Sequence, residues 1–470
     1  MRRATLLLTD TSCKFAQRHS AFGRGVFYVN TLYLCDGHRG EGTPEEGLLY
    51  FTPVIAHISR GKGRIMLYGK DYLKKKLAEK SAIVRIKQRY YDMKNAVADV
   101  SGVIPEQFKW LSISLGWCAK AVDTLADRLV FDSFQNDLFL MNSICELNNP
   151  DVLFDSSIKG ALISGCSFVY IGVRDGYPAL QTIGGESATG IIDPITYMLR
   201  EGYAVLERDQ YGKPTKEAYF EPYKTSYFYG TKAGEVFTHS SPYPLLTPVI
   251  YRPDTAQPFG RSRITRCCMD TVQAALRTLR RSEVSAEFYS TPQKYVLGLS
   301  EDAELNNRRA EMSSFLDFRK DGDGEKPSVG QFQQQSMSPF VEQLRMHASV
   351  FAGETGLTLD DLGFTSANPS SYDAIRASHE NLRLTARKAQ RTFGTGFLNA
   401  AYLAACVRDN KEYDRRAFAA VKPSWQPVFE PDAAALGVLG DAILKINQAA
   451  PDFLGAKSIK SLTGLEGDAQ

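Results

Sequence analysis

The spacing of apolar residues changes along this chain, and the changes divide it into helical and strand-rich stretches. Over residues 111–131, apolar side chains recur at the i, i+3, i+4 spacing of a single helix face. That face consists of Cys118, Ala121, Val122, Leu125, Ala126 and Leu129. The same kind of pattern predicts further helices at residues 71–91, 135–147 and 151–163.

The pattern between residues 166 and 251 is that of strands. Residues 167–173 form a run of strand-forming side chains, and an Arg-Asp-Gly turn follows it. Later runs at residues 204–208 and 217–220 are joined by a polar turn, and tyrosine is frequent, as in half-buried sheets. This stretch therefore predicts an antiparallel meander.

Two long helices are predicted next. The first covers residues 263–288 and would be about 40 Å long at 1.5 Å per residue. Its apolar stripe consists of Ile264, Cys268, Val272, Ala275, Leu276 and Leu279. Ser338 is the expected N-cap of the second helix, and Pro339 is its first residue. The second apolar stripe consists of Phe340, Leu344, Ala348 and Phe351, and Gly353 and Gly356 are expected to end the helix.

A third long helix is predicted from about residue 371 to residue 409, with Ser370 or Ser371 as its cap. Gly394 and Gly396 lie inside it and predict a kink. The pattern after this helix predicts a strand at residues 425–429, a helix at 433–447 and a frayed end at 458–470.

Composition limits the class of protein only loosely. The 470 residues can hold two to four domains, and 43% hydrophobic and 23% charged residues are ordinary for a soluble globular protein. The net charge of +3 neither shows nor excludes binding to nucleic acid. No apolar run reaches about 18 residues, so no membrane span is expected.

The cysteines point to reduced, buried thiols and not to disulfides or a metal site. None of the eight forms a CxxC pair, and several lie in apolar helical or strand patterns. They are Cys13, Cys35, Cys118, Cys145, Cys166, Cys267, Cys268 and Cys406.

The first 65 residues differ from the rest because they keep no sustained apolar period. The segment that begins at Met66 reads as an ordinary amphipathic helix, with Lys74, Lys75, Lys76 and Lys80 on a solvated face. One hypothesis, which we favour, is that Met66 is the true start and that the preceding residues come from an over-extended reading frame. The alternative is a genuine, variable N-terminal arm.

No catalytic constellation stands out, and no cofactor is expected. The chain has no GxxxxGK[ST], HExxH or GxSxG motif. Ser156 and Lys159 match the short SxxK pattern, but its usual partner motifs are missing. An acidic turn at residues 321–325 lacks the further ligands of a calcium loop. Asp360 and Asp361 form a pair of carboxylates without a visible nucleophile or base. The chain is therefore not expected to be an enzyme.

A series of short motifs occurs in a fixed order. The series runs Tyr90-Tyr91-Asp92, residues 117–129, Gly165-Cys166-Ser167-Phe168-Val169, Ile192-Asp193-Pro194, Arg252-Pro253, Gly260-Arg261-Ser262 and Asn368-Pro369-Ser370-Ser371-Tyr372-Asp373-Ala374-Ile375. In this order the chain resembles the portal proteins of tailed bacteriophages, from about residue 71 to residue 450. One departure is Thr355-Gly356-Leu357, where many of these proteins have a proline soon after the Thr-Gly.

The resemblance implies an α+β, mainly helical fold of the portal type, with long stem helices, an α/β wing, a small clip insert and a helical C-terminal crown. The implied divisions are a variable or spurious extension at 1–65, the wing at 66–258, stem helices at 259–290 and 336–354, the clip at 291–335, the tunnel loop at 355–372, a kinked wing helix at 373–410 and the crown region at 411–470.

The resemblance also implies roles for individual residues. The stem interface would contain Leu276, Arg277, Leu279, Arg281, Leu344 and Phe351. The tunnel loop would present Leu357, Leu359, Asp360, Asp361, Phe364 and Thr365. The clip would include Lys294, Tyr295 and Phe332. Because neither stem helix can bury its stripe alone, neighbouring subunits are expected to cover it.

The implied protein is a homo-oligomeric ring, typically a dodecamer, in the virion at one capsid vertex, after assembly in the host cytoplasm. Its implied partners are double-stranded DNA that passes through non-specifically, the terminase large subunit, a head-completion or adaptor protein, and the major capsid and scaffolding proteins. Near-neutral charge suits DNA that has to slide. The alternatives are a structural adaptor without a channel and, with less support, a hydrolase.

Overall fold

The computed structural model describes residues 67–97, 112–230, 232–290, 294–298, 328–331, 336–364, 377–429, 433–451 and 453–463. Over these residues the fold mixes helix and sheet, as the sequence predicts. The extension at residues 1–65 and the acidic turn at 321–325 lie outside them.

Four helices come first: α1 (Lys70–Tyr91), α2 (Trp117–Ala126), α3 (Met141–Glu146) and α4 (Pro150–Ser164). The predicted apolar face around α2 is confirmed, because all six of its residues are buried. The predicted helix bounds were wrong, however: β1 (Phe131–Gln135) follows α2, and only α3 is helical within 135–147. Asn136, just after β1, and Leu140, just before α3, have φ values of 57° and 53°. These left-handed conformations interrupt regular structure between the strand and the helix.

Two antiparallel sheets carry the predicted meander. Strands β2 (Cys166–Arg174), β3 (Tyr177–Ile183) and β9 (Leu246–Ile250) form a sheet in the order β3-β2-β9. A five-stranded meander contains β4 (Ala188–Ile192), β5 (Leu199–Arg208), β6 (Pro214–Glu221), β7 (Lys224–Tyr229) and β8 (Lys232–Thr238) in sequence order. The predicted strands are confirmed, although they are shared between two sheets.

Helix α1 packs on the five-stranded sheet, so its lysines are not simply a solvated face. Leu73 and Leu77 are buried against Tyr203 and Tyr219. The fully buried Glu201 accepts hydrogen bonds from the backbone N–H groups that precede α1 and from the Tyr219 hydroxyl, at 2.8–3.1 Å. On the same side, three lysine ammonium groups contact the body of the protein. Lys74 pairs with Glu217 at 2.9 Å, Lys76 donates to the carbonyl oxygen of Gly190, and Lys80 contacts the thiol of Cys166.

The two predicted long helices are present as α5 (Arg266–Ser290) and α6 (Ser338–Thr355). Between them, β10 (Lys294–Leu297) and β11 (Ser328–Gln331) form an antiparallel two-stranded ribbon. Ser338 is not the N-cap as predicted: Met337 takes that position, with no side-chain cap. Gly353 lies within the helix, and Gly356 ends it with a φ of 70°.

Helix α7 (Glu380–Arg408) crosses the core without interruption at Gly394 or Gly396. These glycines allow close packing instead. A Cβ at Gly394 would lie 3.0 Å from the Pro423 side chain, and one at Gly396 would lie 3.1 Å from the Pro248 carbonyl oxygen. The predicted cap at Ser370 or Ser371 lies outside the described residues.

The C-terminal region contains β12 (Lys422–Trp425), α8 (Ala433–Ala449) and α9 (Ala456–Thr463). Strand β12 pairs with β1. The predicted bounds of 425–429 were wrong, because only Trp425 lies in the strand and residues 426–429 are irregular. The prediction of a frayed segment from residue 458 was wrong as far as Thr463, which is helical; residues 464–470 lie outside the described part.

One large apolar core joins α2, α4, the three-stranded sheet, the first part of α5, the end of α6 and α7. Five of the six described cysteines are buried free thiols, as expected, and Cys267 is exposed. Cys13 and Cys35 lie outside the described residues. Within the described part of the chain, no helix is both long and apolar enough to cross a membrane.

Candidate functional site

Helices α5 and α6 form an antiparallel pair, which we call the helical pair. At its base the Thr265 hydroxyl donates to Glu354 at 2.8 Å, and further out the Thr278 hydroxyl donates to Gln343 at 3.0 Å. The ribbon of β10 and β11 continues the pairing beyond the helix ends. The 25 residues of α5 extend about 37 Å at 1.5 Å per residue. The pair therefore forms a long projection with a base and a tip.

The base of the pair belongs to the core of its own chain. The Arg263 guanidinium is buried and donates to the carbonyl oxygens of Ala121 and Thr355, which ties α2 to both long helices. Leu276 is 1% exposed, and Phe351 is fully buried with its ring 5.6 Å from that of Trp117.

This burial corrects two predicted stem-interface residues. Leu276 and Phe351 are covered by their own chain and present no surface to a neighbouring subunit. The prediction failed because an apolar stripe shows that a helix face is covered, but it does not show which chain covers it.

The other four predicted stem residues are more accessible. Leu279, Leu344 and Arg277 are half-buried, and Arg281 is exposed. Burial, and then the charge of Arg277, lower the pKa of His347 below its ordinary value. A role of these residues between subunits stays a prediction.

The outward side of α6 carries apolar residues that sequence reasoning missed. Met346 and Val350 are 54% and 50% exposed. Met346 and Val350 are i, i+4 neighbours and lie on one side of the helix, whereas the buried Ala348 and Ala352 lie on another. This spacing was visible in the sequence, but only the position of the buried face identifies it as a second, outward stripe.

Charge on the helical pair is balanced. Together α5 and α6 hold five arginines and five acidic residues. One exposed pair, Arg266 with Asp270 at 3.6 Å, joins opposite charges on the same turn of α5. The balance means that the pair does not form a strongly basic surface.

The segment after α6 is a turn that packs onto the body. Leu357 is buried, and Leu359 and Phe364 pack against the core. A short 3-10 turn covers Asp360–Leu362. Asp360 is exposed, and the predicted loop residue Thr365 lies outside the described residues.

Asp361 stabilises this turn through contacts with Thr358 and with His379. Its carboxylate accepts hydrogen bonds from the Thr358 backbone and hydroxyl, each at 2.9 Å, and lies 3.2 Å from the His379 ring at the start of α7. Burial opposes ionisation of Asp361, but the Thr358 hydrogen bonds and His379 outweigh it, so its pKa lies below the ordinary value. The two predicted carboxylates are therefore different: Asp361 is structural and Asp360 is exposed.

The predicted clip residues are at the tip of the pair. Lys294 and Tyr295 lie in β10, and Phe332 lies outside the described residues. Tyr295, Leu297 and Val329 of the ribbon are 40%, 62% and 49% exposed. A two-stranded ribbon alone is only marginally stable in water. We therefore expect the ribbon to be the least stable of the described elements of this projection.

The predicted candidates for catalysis show no catalytic geometry. The Ser156 hydroxyl donates to the Val152 carbonyl oxygen at 2.5 Å, a helix-internal contact, and lies near the Thr182 hydroxyl. Lys159 pairs with Asp155 at 3.0 Å. Among the described residues, no cluster of three or more His, Cys, Asp or Glu side chains is arranged to hold a metal ion.

Two curated proteins that are similar in sequence to this chain have the same name. A curated protein of Mycobacterium phage L5 named "Portal protein" is 24% identical over 346 residues, which cover 67% of this chain and 69% of that protein. A "Portal protein" of Mycobacterium phage D29 is 23% identical over 352 residues, covering 68% and 70%. No protein-family model matches the chain.

Solved structures from gene transfer agent particles are also similar. The neck of an empty particle, computed with C6 symmetry, matches with a TM-score of 0.46 and 14% identity, covering 82% of this chain and 93% of that chain. The virion of the native particle matches with a TM-score of 0.42 and 15% identity, covering 74% and 90%.

Proposed function

We propose that this chain, a relative of the mycobacteriophage portal proteins, is a portal subunit. In this proposal, copies assemble into a ring at one capsid vertex, through which DNA enters during packaging and leaves during ejection. The observation that carries the proposal is the match to two proteins named "Portal protein" over about two thirds of the chain. The helical pair supports it, because it gives each subunit a long projection with an outward apolar stripe.

The proposed stem consists of residues 259–290 and 336–354. Its base is held by the subunit's own core, so contacts between subunits would use the outward side of α6, with Met346 and Val350. The predicted Leu279, Arg281 and Leu344 remain further candidates, although Leu344 lies on the face of α6 that packs on the core. A head-to-tail interface whose rotation closes gives a ring. Exposed apolar side chains at such an interface are covered only after assembly.

The proposed channel surface must let DNA slide. Equal numbers of arginines and acidic residues on the helical pair fit this requirement, because tight neutralisation of phosphates would hold DNA in place. The tunnel loop at residues 355–372 is proposed to face the channel. Its first part, up to Phe364, is fastened by Asp361, so any residue that touches DNA would be Asp360 or lie beyond Phe364.

The remaining divisions are part of the same proposal. The wing would be residues 66–258 with the helix at 373–410, and the crown would be residues 411–470. The clip at 291–335 would dock the terminase large subunit and later a head-completion protein. Exposed Tyr295, Leu297 and Val329 at the tip support a docking role there.

The mass of the purified particle tests this function. A monomer has a mass of 52.2 kDa. Light scattering at micromolar concentration and physiological salt is expected to give a many-fold larger mass, and negative-stain images are expected to show rings with an axial hole. A clean monomer, or a large particle without a central hole, would refute the portal assignment and leave the adaptor alternative.

A further inference from the structure

Two exposed surfaces of the wing region carry apolar side chains and opposite charge. The first, which we call the leucine patch, consists of Leu138, Leu140, Leu147 and Val152, which are 63–79% exposed. The second is the outward face of α1, where Ile83 and Ile86 are 59% and 51% exposed. Neither surface belongs to the helical pair, and the portal geometry described above assigns no role to either.

The leucine patch lies in an acidic stretch. Residues 131–158 contain five aspartates and glutamates and no lysine, arginine or histidine. The cations that border this stretch, Lys159 and Arg408, are paired with Asp155 and Asp409. Glu146 and Asp151 are exposed beside Leu147 and Val152. A partner for this surface therefore needs apolar side chains flanked by positive charge.

The patch is held rigidly in an exposed position. Asp137 accepts hydrogen bonds from the backbone of Phe139 and Asn142, and the Asn142 side chain pairs with the Phe134 backbone in both directions. The Arg408 guanidinium donates to the carbonyl oxygens of Phe139 and Leu140. Leu140 is thereby kept at a φ of 53°, a conformation that leucine rarely adopts and that occurs more often at functional positions.

The outward face of α1 has the complementary chemistry. The helix contains eight lysines and arginines against two acidic residues. Several lysines contact the body of the protein, but Lys75, Arg85 and Arg89 are exposed on the outward half of the helix, around Ile86. Ile83 lies at the other edge of this half, next to the exposed Glu79. Ile86 among these basic side chains matches a leucine patch flanked by carboxylates.

We propose that the leucine patch of one copy binds the outward face of α1 of the next copy. This inference rests on the proposed ring, for which it supplies a second contact apart from the stem. Because one chain carries both complementary surfaces, the contact is head-to-tail and repeats around a ring until it closes. In this contact the isoleucine and leucine side chains are buried away from water. The carboxylates and guanidinium groups at the rim fix how the two surfaces align.

Charge reversal tests the contact. Glu146→Arg with Asp151→Arg, or separately Arg85→Glu with Arg89→Glu, is expected to raise the concentration for half-assembly by about tenfold or more. Combining all four changes in one chain restores opposite charges at every contact and is expected to recover most of the assembly. Glu235→Arg, an exposed reversal on β8, is the matched control and should assemble like the unchanged chain.

The outcomes separate this contact from the ring itself. If the unchanged chain forms rings and the reversed variants assemble equally well, or if the fourfold variant is worse than both doubles, the contact is refuted and the portal assignment stands. If the unchanged chain is a monomer, the portal assignment fails first. Thermal melting of each variant at a concentration below assembly must match that of the unchanged chain.

A cross-linking experiment checks the geometry without relying on charge. Leu147→Cys and Ile86→Cys are combined with Cys267→Ser, which removes the exposed thiol of the described residues, and with Cys13→Ser and Cys35→Ser. A short bis-maleimide is expected to give a ladder of multimers on a denaturing gel. A cross-linked monomer would place both surfaces together within one chain and refute the proposal, as would no cross-link in intact rings.

Discussion

The two ends of the helical pair differ in what covers their apolar side chains. At the base, Leu276 and Phe351 are buried by the subunit's own core. Towards the tip, α5 and α6 have mainly each other, and the ribbon at the end exposes Tyr295, Leu297 and Val329. Apolar side chains of this projection are therefore buried by the chain's own core at the base and exposed at the tip.

The largest expected effect on stability comes from a substitution at the base of the helical pair. Phe351→Ala removes a fully buried ring that contacts Trp117 and is expected to lower the free energy of unfolding by about 3–5 kcal/mol. Val350→Ala, one residue earlier and half exposed, is the control and should change it by less than about 1 kcal/mol. Denaturant unfolding at a concentration below assembly measures both. Equal effects would contradict the assignment of Phe351 to the subunit's core.

His239 near the five-stranded sheet and His347 on α6 allow the pH dependence of stability to be compared between the body of the protein and the helical pair. Burial lowers the pKa of His239, which is 9% exposed beside the five-stranded sheet, to about 4. The unfolded chain binds a proton near pH 6.5, so stability is complete above that pH and falls as the pH drops towards 4, by up to about 3 kcal/mol. His347 on α6 also has a lowered pKa and should lose stability in the same direction.

Unfolding of each histidine variant between pH 4 and pH 7.5 measures this difference. His239→Gln is expected to remove most of the pH dependence that is due to this residue, and His347→Gln is expected to remove a smaller part. A larger effect of His347→Gln would show that the helical pair, and not the sheet, contains the more costly buried imidazole.

The smallest expected effect on the stability of the isolated chain comes from the outward stripe of α6. Met346→Ser with Val350→Ser changes only the outward stripe of α6, so the free energy of unfolding of the monomer should change by less than about 1 kcal/mol. Assembly measured by light scattering should nevertheless weaken, because these side chains are proposed to be covered by the neighbouring subunit. Unchanged assembly would remove them from the interface.

Periodicity predicted the long helices and strands β2, β5 and β6, but it missed strands such as β1, β3 and β4. The face from Cys118 to Leu129 was found residue by residue because burial on one helix face follows its period. The stretch at 131–147 was misassigned, because a short strand and a six-residue helix are joined by left-handed residues that carry ordinary side chains. Glycines inside α7 were read as a kink, although they allow close contact with neighbouring backbone and proline.

The candidate site was less predictable than the fold. A stripe such as Leu276 with Phe351 has the same sequence pattern whether its cover comes from the same chain or from another. The outward stripe at Met346 and the leucine patch at Leu138 are recognisable only after the buried faces are known. The fastening of Asp361 by Thr358 and His379 also needs the tertiary fold, since the histidine is 18 residues away along the chain.

Hydrogen exchange of the chain before and after assembly tests the central claim most directly. Backbone amides near the base, around residues 268–276 and 348–355, should be strongly protected in the monomer and change little in the assembled particle. Amides of the distal halves, in 281–290 and 338–347, should be weakly protected in the monomer and gain protection on assembly. Equal protection of both halves in the monomer, or no gain in the distal halves within intact rings, would contradict the account.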